Sequence, residues 1–149
     1  MKKKLLYVFL ALILVSHTAT AIAVEPIKIG VVMPLSGVTS TLGVPAYQAY
    51  QVAADELMTE KGGILRRPIK FIARDSLNTE METRFIRELF IKENCDIVMA
   101  GCGSGVALAA GAVAADLKKL VFILGGNSTR VTEDNFTRYM FRMQAPSNF

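Results

Sequence analysis

Short, unbroken apolar runs alternate along this chain with longer stretches of helical period, which is the pattern of a parallel β-sheet covered on both faces by helices. A strand with helices on both sides has no face to offer water, so it can be apolar throughout. Residues 27–33, 69–73, 96–100 and 120–124 read as four such strands, and residues 139–143 as a fifth. Between the first two strands, a helix is expected from about residue 44 to 61, burying Tyr50, Ala53, Ala54 and Leu57, with Gly62 and Gly63 ending it. A second is expected over about residues 80–93, with Met81, Phe85, Ile86, Leu89 and Phe90 inward and Glu80 and Glu82 at the positive end of its dipole. A third opens at Ser104 and buries Val106, Ala109, Ala110, Val113, Ala114 and Leu117. The fold class is therefore α/β, a doubly wound parallel sheet of order 2-1-3-4-5.

The first residues do not belong to that pattern. Lys2, Lys3 and Lys4 precede the apolar run of residues 5–15, and small residues follow through Ala23, so residues 1–23 read as an export signal. Cleavage after Ala23 is favoured over cleavage after Ala21. The apolar run falls short of the roughly 20 residues that cross a bilayer as a helix. No Cys lies near the cleavage region to take a lipid, so residues 24–149 are expected to form one soluble periplasmic lobe. Three of the 17 basic residues lie in the signal and all 13 acidic residues lie beyond it, which leaves the lobe nearly neutral. That balance gives no electrostatic reason to expect nucleic acid or anionic lipid as a partner.

In an open parallel sheet a ligand sits beyond the carboxyl ends of the strands, where neighbouring connections leave in opposite directions. For this strand order the point falls between strands one and three. Residues 36–43, 101–105 and 125–129 border it, all poor in charge and rich in Gly and hydroxyl side chains. The first N–H groups of the helix that opens at Ser104 have no intrahelical acceptor, which suits an anion. Ser104 either caps that helix or meets a ligand oxygen, and Asn127, Ser128 and Thr129 are either turn formers or ligand contacts. Asp75 reads as a turn cap in preference to a general base.

Several chemistries lack their residues. In 101–106 the third glycine of a dinucleotide loop would fall at Val106, and no phosphate-binding G-x-x-x-x-G-K-[ST] sequence occurs. The one histidine, His17, lies in the export signal, so Ser–His and Cys–His nucleophiles and imidazole metal ligands are not to be had. Neither catalysis nor a cofactor or metal is expected.

Ile27 through Gly37, with Gly43 beyond, is similar to the opening strand and Ser-Gly loop of the periplasmic solute-binding proteins of the leucine/isoleucine/valine-binding type, which serve ABC importers. Ala53-Ala54-Asp55-Glu56 leading to Gly62-Gly63-Ile64, Asp75 after the second strand, the run Ser104 to Ala109, and Phe141-Arg142 continue the resemblance. It implies a lobe that holds an amino acid or related small carboxylate through Ser104 with Gly103 and Gly126 with Ser128, and a membrane permease as partner. Leu42 stands where the branched-chain binders carry an aromatic contact residue, and Ser76 and Leu77 stand where the family often has a cysteine. Because the likeness ends near the first crossing between lobes, the resemblance also implies a truncated form without the second lobe. The alternative in another class is a ligand-sensing lobe of a regulatory receptor system.

Cys95 and Cys102 flank the third strand, and seven extended residues span about 23 Å, whereas a disulfide needs Cα atoms within about 7 Å. Both thiols should be free and mostly buried. Titrating the unfolded, unreduced protein with a thiol reagent should detect both sulfhydryls, and detecting neither would mean that a bridge had formed.

Overall fold

A computed structural model of the chain describes residues 24–146. The export signal read at residues 1–23 lies outside the described residues. Five strands form one parallel sheet in the order β2-β1-β3-β4-β5, as expected: β1 (Ile27–Met33), β2 (Ile69–Asp75), β3 (Ile97–Ala100), β4 (Val121–Ile123) and β5 (Met140–Arg142). Three helices connect them, α1 (Ser40–Lys61), α2 (Thr79–Ile91) and α3 (Ser104–Leu117), and a short 3-10 turn, Thr129–Val131, precedes β5. Among the described residues no helix is long and apolar enough to cross a membrane.

The alternation of side chains along each strand divides the apolar residues between two faces. Val32, Val98, Ala100, Val121 and Ile123 meet Ile86, Leu89 and Phe90 of α2 and Ala107, Ala110, Val113 and Ala114 of α3. The opposite face, built on Ile29, Val31 and Met33 of β1, is packed by Tyr47 and Tyr50 of α1, with the Tyr47 and Phe71 rings edge to face at 6.0 Å. Cover on this second face is thin. Within α1 only Gly43 and Ala54 are buried, and the stacked pair Phe122 and Phe141 on β4 and β5 leaves Phe141 49% exposed.

Three expectations about the helices need correction. The first helix begins at Ser40 instead of residue 44, so Leu42 lies in its first turn and not in a loop. Gly43 permits this, because a Cβ there would stand 2.1 Å from the Pro34 carbonyl oxygen, and Pro45 is accommodated inside the helix. Ala53 is exposed, and the buried stripe of α1 reduces to Ala54 flanked by half-buried Tyr50 and Leu57. In α3 the buried face is centred on Ala107, Ala110, Gly111, Val113 and Ala114, leaving Val106, Ala109 and Leu117 half-buried. Gly111 lies inward because a Cβ there would meet the Met140 sulfur at 3.0 Å. Glu82 stands in the first turn of α2, as expected, and is buried there. Its offsets of four to Ile86 and seven to Leu89 put it on the same inward stripe, and helical phase overrides side-chain type.

The tight join between α2 and the sheet centre depends on Gly30 and Leu89. A Cβ at Gly30 would stand 2.8 Å from Leu89 Cδ1, so the leucine fills the space the glycine leaves. Leu89 is fully buried, and Leu89→Ala should lower the unfolding free energy by about 2–5 kcal/mol with an unchanged denaturant slope in urea melts. A loss under about 0.5 kcal/mol, the range of an ordinary surface change, would show that this join is not tight.

Candidate functional site

At the carboxyl rim of the sheet, the segments after β1, β3 and β4 surround an open cleft of about 460 Å³. Leu42 from the first turn of α1, Cys102, Gly103 and Ser104 after β3, Gly125, Gly126 and Asn127 after β4, and Gln144 beyond β5 contribute to its walls. Four of the five site residues expected from the sequence, Leu42, Gly103, Ser104 and Gly126, therefore share one cavity. Ser128 is not among the residues that line it. Sequence reasoning missed Gln144, because a polar residue just past an edge strand carries no local signal, and passed over Cys102 as core filler.

The two serines are joined directly, since the Ser128 N–H donates to Ser104 Oγ at 3.2 Å. That bond decides what Ser104 does. Gly103 is the N-cap of α3 and the helix has no side-chain cap, so Ser104 is not a cap and its hydroxyl ties the loop after β3 to the loop after β4. The N–H groups of the first turn of α3 are left without a side-chain acceptor, a ready site for an anion. Ser128 is the cap instead: its Oγ accepts from the Arg130 N–H at 3.3 Å and opens the 3-10 turn.

Backbone conformation brings the loop after β4 close to α3. Gly126 has φ of +111°, a region that L side chains avoid, and a Cβ there would stand 2.9 Å from Ala107 Cβ. From β5, Arg142 fastens the same loop by donating from one guanidinium nitrogen to the carbonyls of Gly126 at 3.3 Å and Ser128 at 2.9 Å. Across the cleft, Asp75 Oδ1 accepts from the N–H groups of Leu35 at 2.7 Å and Ser36 at 3.2 Å, which secures the segment after β1. This is the turn-fixing role expected of Asp75, although the residue is the last of β2 and not the first of a turn.

The electrostatics favour holding over reacting. Burial pushes the Cys102 thiol up, with the neighbouring Glu82 carboxylate adding to the effect, and burial drives Cys95 up to about 11. Neither thiol is primed as a nucleophile at neutral pH. The two lie at opposite ends of β3 and are unbridged. No group of three or more metal-ligating side chains occurs among the described residues.

Residues 26–148 match the family model described as periplasmic binding protein. No curated protein matches the sequence. Among solved structures, the chain is similar to the branched-chain amino acid transporter substrate-binding protein of Streptococcus pneumoniae in complex with isoleucine, at 23% identity and a TM-score of 0.74, covering 82% of this chain and 34% of that one. An ABC-type branched-chain amino acid transporter from Rhodopseudomonas palustris aligns at 19% identity and a TM-score of 0.75, over 80% of this chain and 33% of that one. A solute-binding protein of an ABC transporter from the same species, in complex with 3,4-dihydroxybenzoic acid, aligns at 18% identity and a TM-score of 0.71, over 81% and 32%. The chain thus spans about a third of the length of these structures.

The Asp75 clamp has a pH signature. Bonds from the Ser36 hydroxyl and then from the Leu35 N–H hold its carboxyl below the usual carboxylate range. A lowered folded pKa means that the stabilisation is present above the unfolded value of about 3.9 and is lost as the pH falls through the folded one. Wild type should therefore melt above Asp75→Asn by a constant margin from pH 5 to 7, and the margin should shrink below about pH 4. A margin that is flat down to pH 2 would mean that the charge of Asp75 contributes nothing to the loop.

Proposed function

The chain belongs to the periplasmic binding protein family, and from that premise we propose that it captures a small carboxylate solute for an ABC importer and performs no chemistry on it. The observation that carries this reading is the bond between the Ser128 N–H and Ser104 Oγ, which holds two glycine-rich loops side by side around one cleft. Gly103, Ser104 and Gly126 then offer backbone donors and a hydroxyl to a carboxylate, while Leu42 and Leu124 supply apolar wall for its side chain. A catalytic role would need an activated nucleophile or a base poised over the cleft. The thiol that lines it is held protonated, and the carboxylate of Asp75 is spent on a loop.

The finer parts of the proposal follow from the family. Residues 1–23 direct export and are removed, residues 24–149 form the ligand-binding lobe in the periplasm, and a membrane permease receives the solute. Amino acids and aromatic acids are the solute classes to try first, because the relatives were solved with isoleucine and with 3,4-dihydroxybenzoic acid. A second lobe, outside this sequence, would close over the cleft. Small-ligand pockets commonly enclose 70–90% of a ligand's surface, and a cleft walled by one lobe encloses far less.

Two measurements test the reading. Calorimetry of this chain with L-leucine or L-isoleucine should give affinity weaker than micromolar. In amide NMR, titration with the same amino acids and with 4-hydroxybenzoate should move the Gly103, Ser104, Gly105 and Gly126 signals, and Ser104→Ala should weaken that response. If no carboxylate moves those amides, solute capture by this cleft is ruled out.

A further inference from the structure

A second, smaller cavity lies beside the cleft, of about 140 Å³, and Cys102 forms part of the wall of both. Pro34 and Thr39 from the segment after β1, Ser76, Asn78 and Thr79 from the turn after β2, and Glu82 of α2 line it. Glu82 is 3% exposed, and its carboxyl is only half satisfied. Oε2 accepts from the Ser76 hydroxyl at 3.3 Å, whereas Oε1 has no hydrogen-bond partner. The Gly101 N–H, near enough to the carboxyl to lower its pKa, makes its hydrogen bond to the Val32 carbonyl at 3.1 Å. A buried carboxyl costs folding free energy unless it is paired, and among the described residues no cation forms a salt bridge with this one.

We propose that this cavity is a binding site for a cationic nitrogen group, with the Glu82 carboxylate as counter-charge and the Ser76 hydroxyl, Asn78 and Thr79 as its polar surround. The site is built for a small group. A compact ammonium fits 140 Å³, and its N–H donors supply what Oε1 lacks, while Cys102, Pro34 and Val106 provide apolar wall. Burial raises the pKa of the Glu82 carboxyl to about 7, against the lowering pull of the Ser76 hydroxyl and of the nearby Gly101 N–H. The titratable groups around it are Cys102, which faces it from the loop after β3, and Asp75, next to Ser76 but turned to Leu35 and Ser36. Neither supplies positive charge. Where the carboxylate-holding cleft is also accepted, a solute carrying both an acid and an amine would span Cys102 and occupy the two cavities together.

Methylammonium chloride is the probe, read by amide NMR on this chain, with sodium chloride at equal concentration as the control. The amides of Ser76, Asn78, Gly101 and Cys102 should shift saturably with methylammonium and not with sodium. Since the carboxylate is the binding form, apparent affinity should be about tenfold tighter at pH 8 than at pH 6. Glu82→Gln keeps the shape and the Ser76 bond, so it should fold, give the same spectrum elsewhere and lose the saturable response. Equal responses in Glu82→Gln, equal responses to sodium, or an affinity independent of pH would overturn the proposal. The carboxylate cleft is read by other amides, Gly103 and Gly126, so failure of either idea leaves the other standing.

Discussion

The structure depends on β1 being buried on both faces at the centre of a parallel sheet. Val31, Val32 and Met33 have no exposure at all, which is possible only if helices cover both sides, and the connections from β1 and β3 must then leave in opposite directions. The gap at the rim is the geometric result. The cleft and the backbone donors of α3 lie at that gap, and the smaller cavity adjoins it at Cys102, between the segments after β1 and β2.

Once the gap exists, its shape is set by polar ties between loops and not by the apolar core. Asp75 holds the segment after β1, Ser104 joins the loops after β3 and β4, and Arg142 grips the latter from β5. These ties consist of one or two hydrogen bonds each, every bond worth on the order of 1 kcal/mol, so the rim can adjust by small amounts while the sheet stays rigid.

The order of strands was legible in the sequence because unbroken apolar runs leave few alternatives, and topology alone pointed to the rim where the cleft opens. Helix phase was less legible. In α3 the stripe of small residues has nearly the same hydropathy all round, so nothing local distinguishes Ala107 and Gly111, which are buried, from Ala109, which is not. The Gly- and hydroxyl-rich segment ending at Gly43 suggested a helix boundary, yet the close approach of Gly43 to Pro34 that allows the helix to start earlier is a tertiary contact. Glu82 lies in the first turn that its charge suggested, and its burial follows from its spacing from Ile86 and Leu89. The tie between Ser104 and Ser128 spans 24 residues of sequence, and no pattern of residue types announces it.

Leu42 and Gln144 stand on the same cleft although they come from nearly opposite ends of the described chain. The pocket is therefore incomplete until β5 has emerged and docked, since Arg142 lies in that strand and Gln144 just beyond it. A chain that docks β5 wrongly would keep most of its helices and still lose one wall of the cleft, so an intact cleft would act as a gauge of whether the whole sheet had assembled.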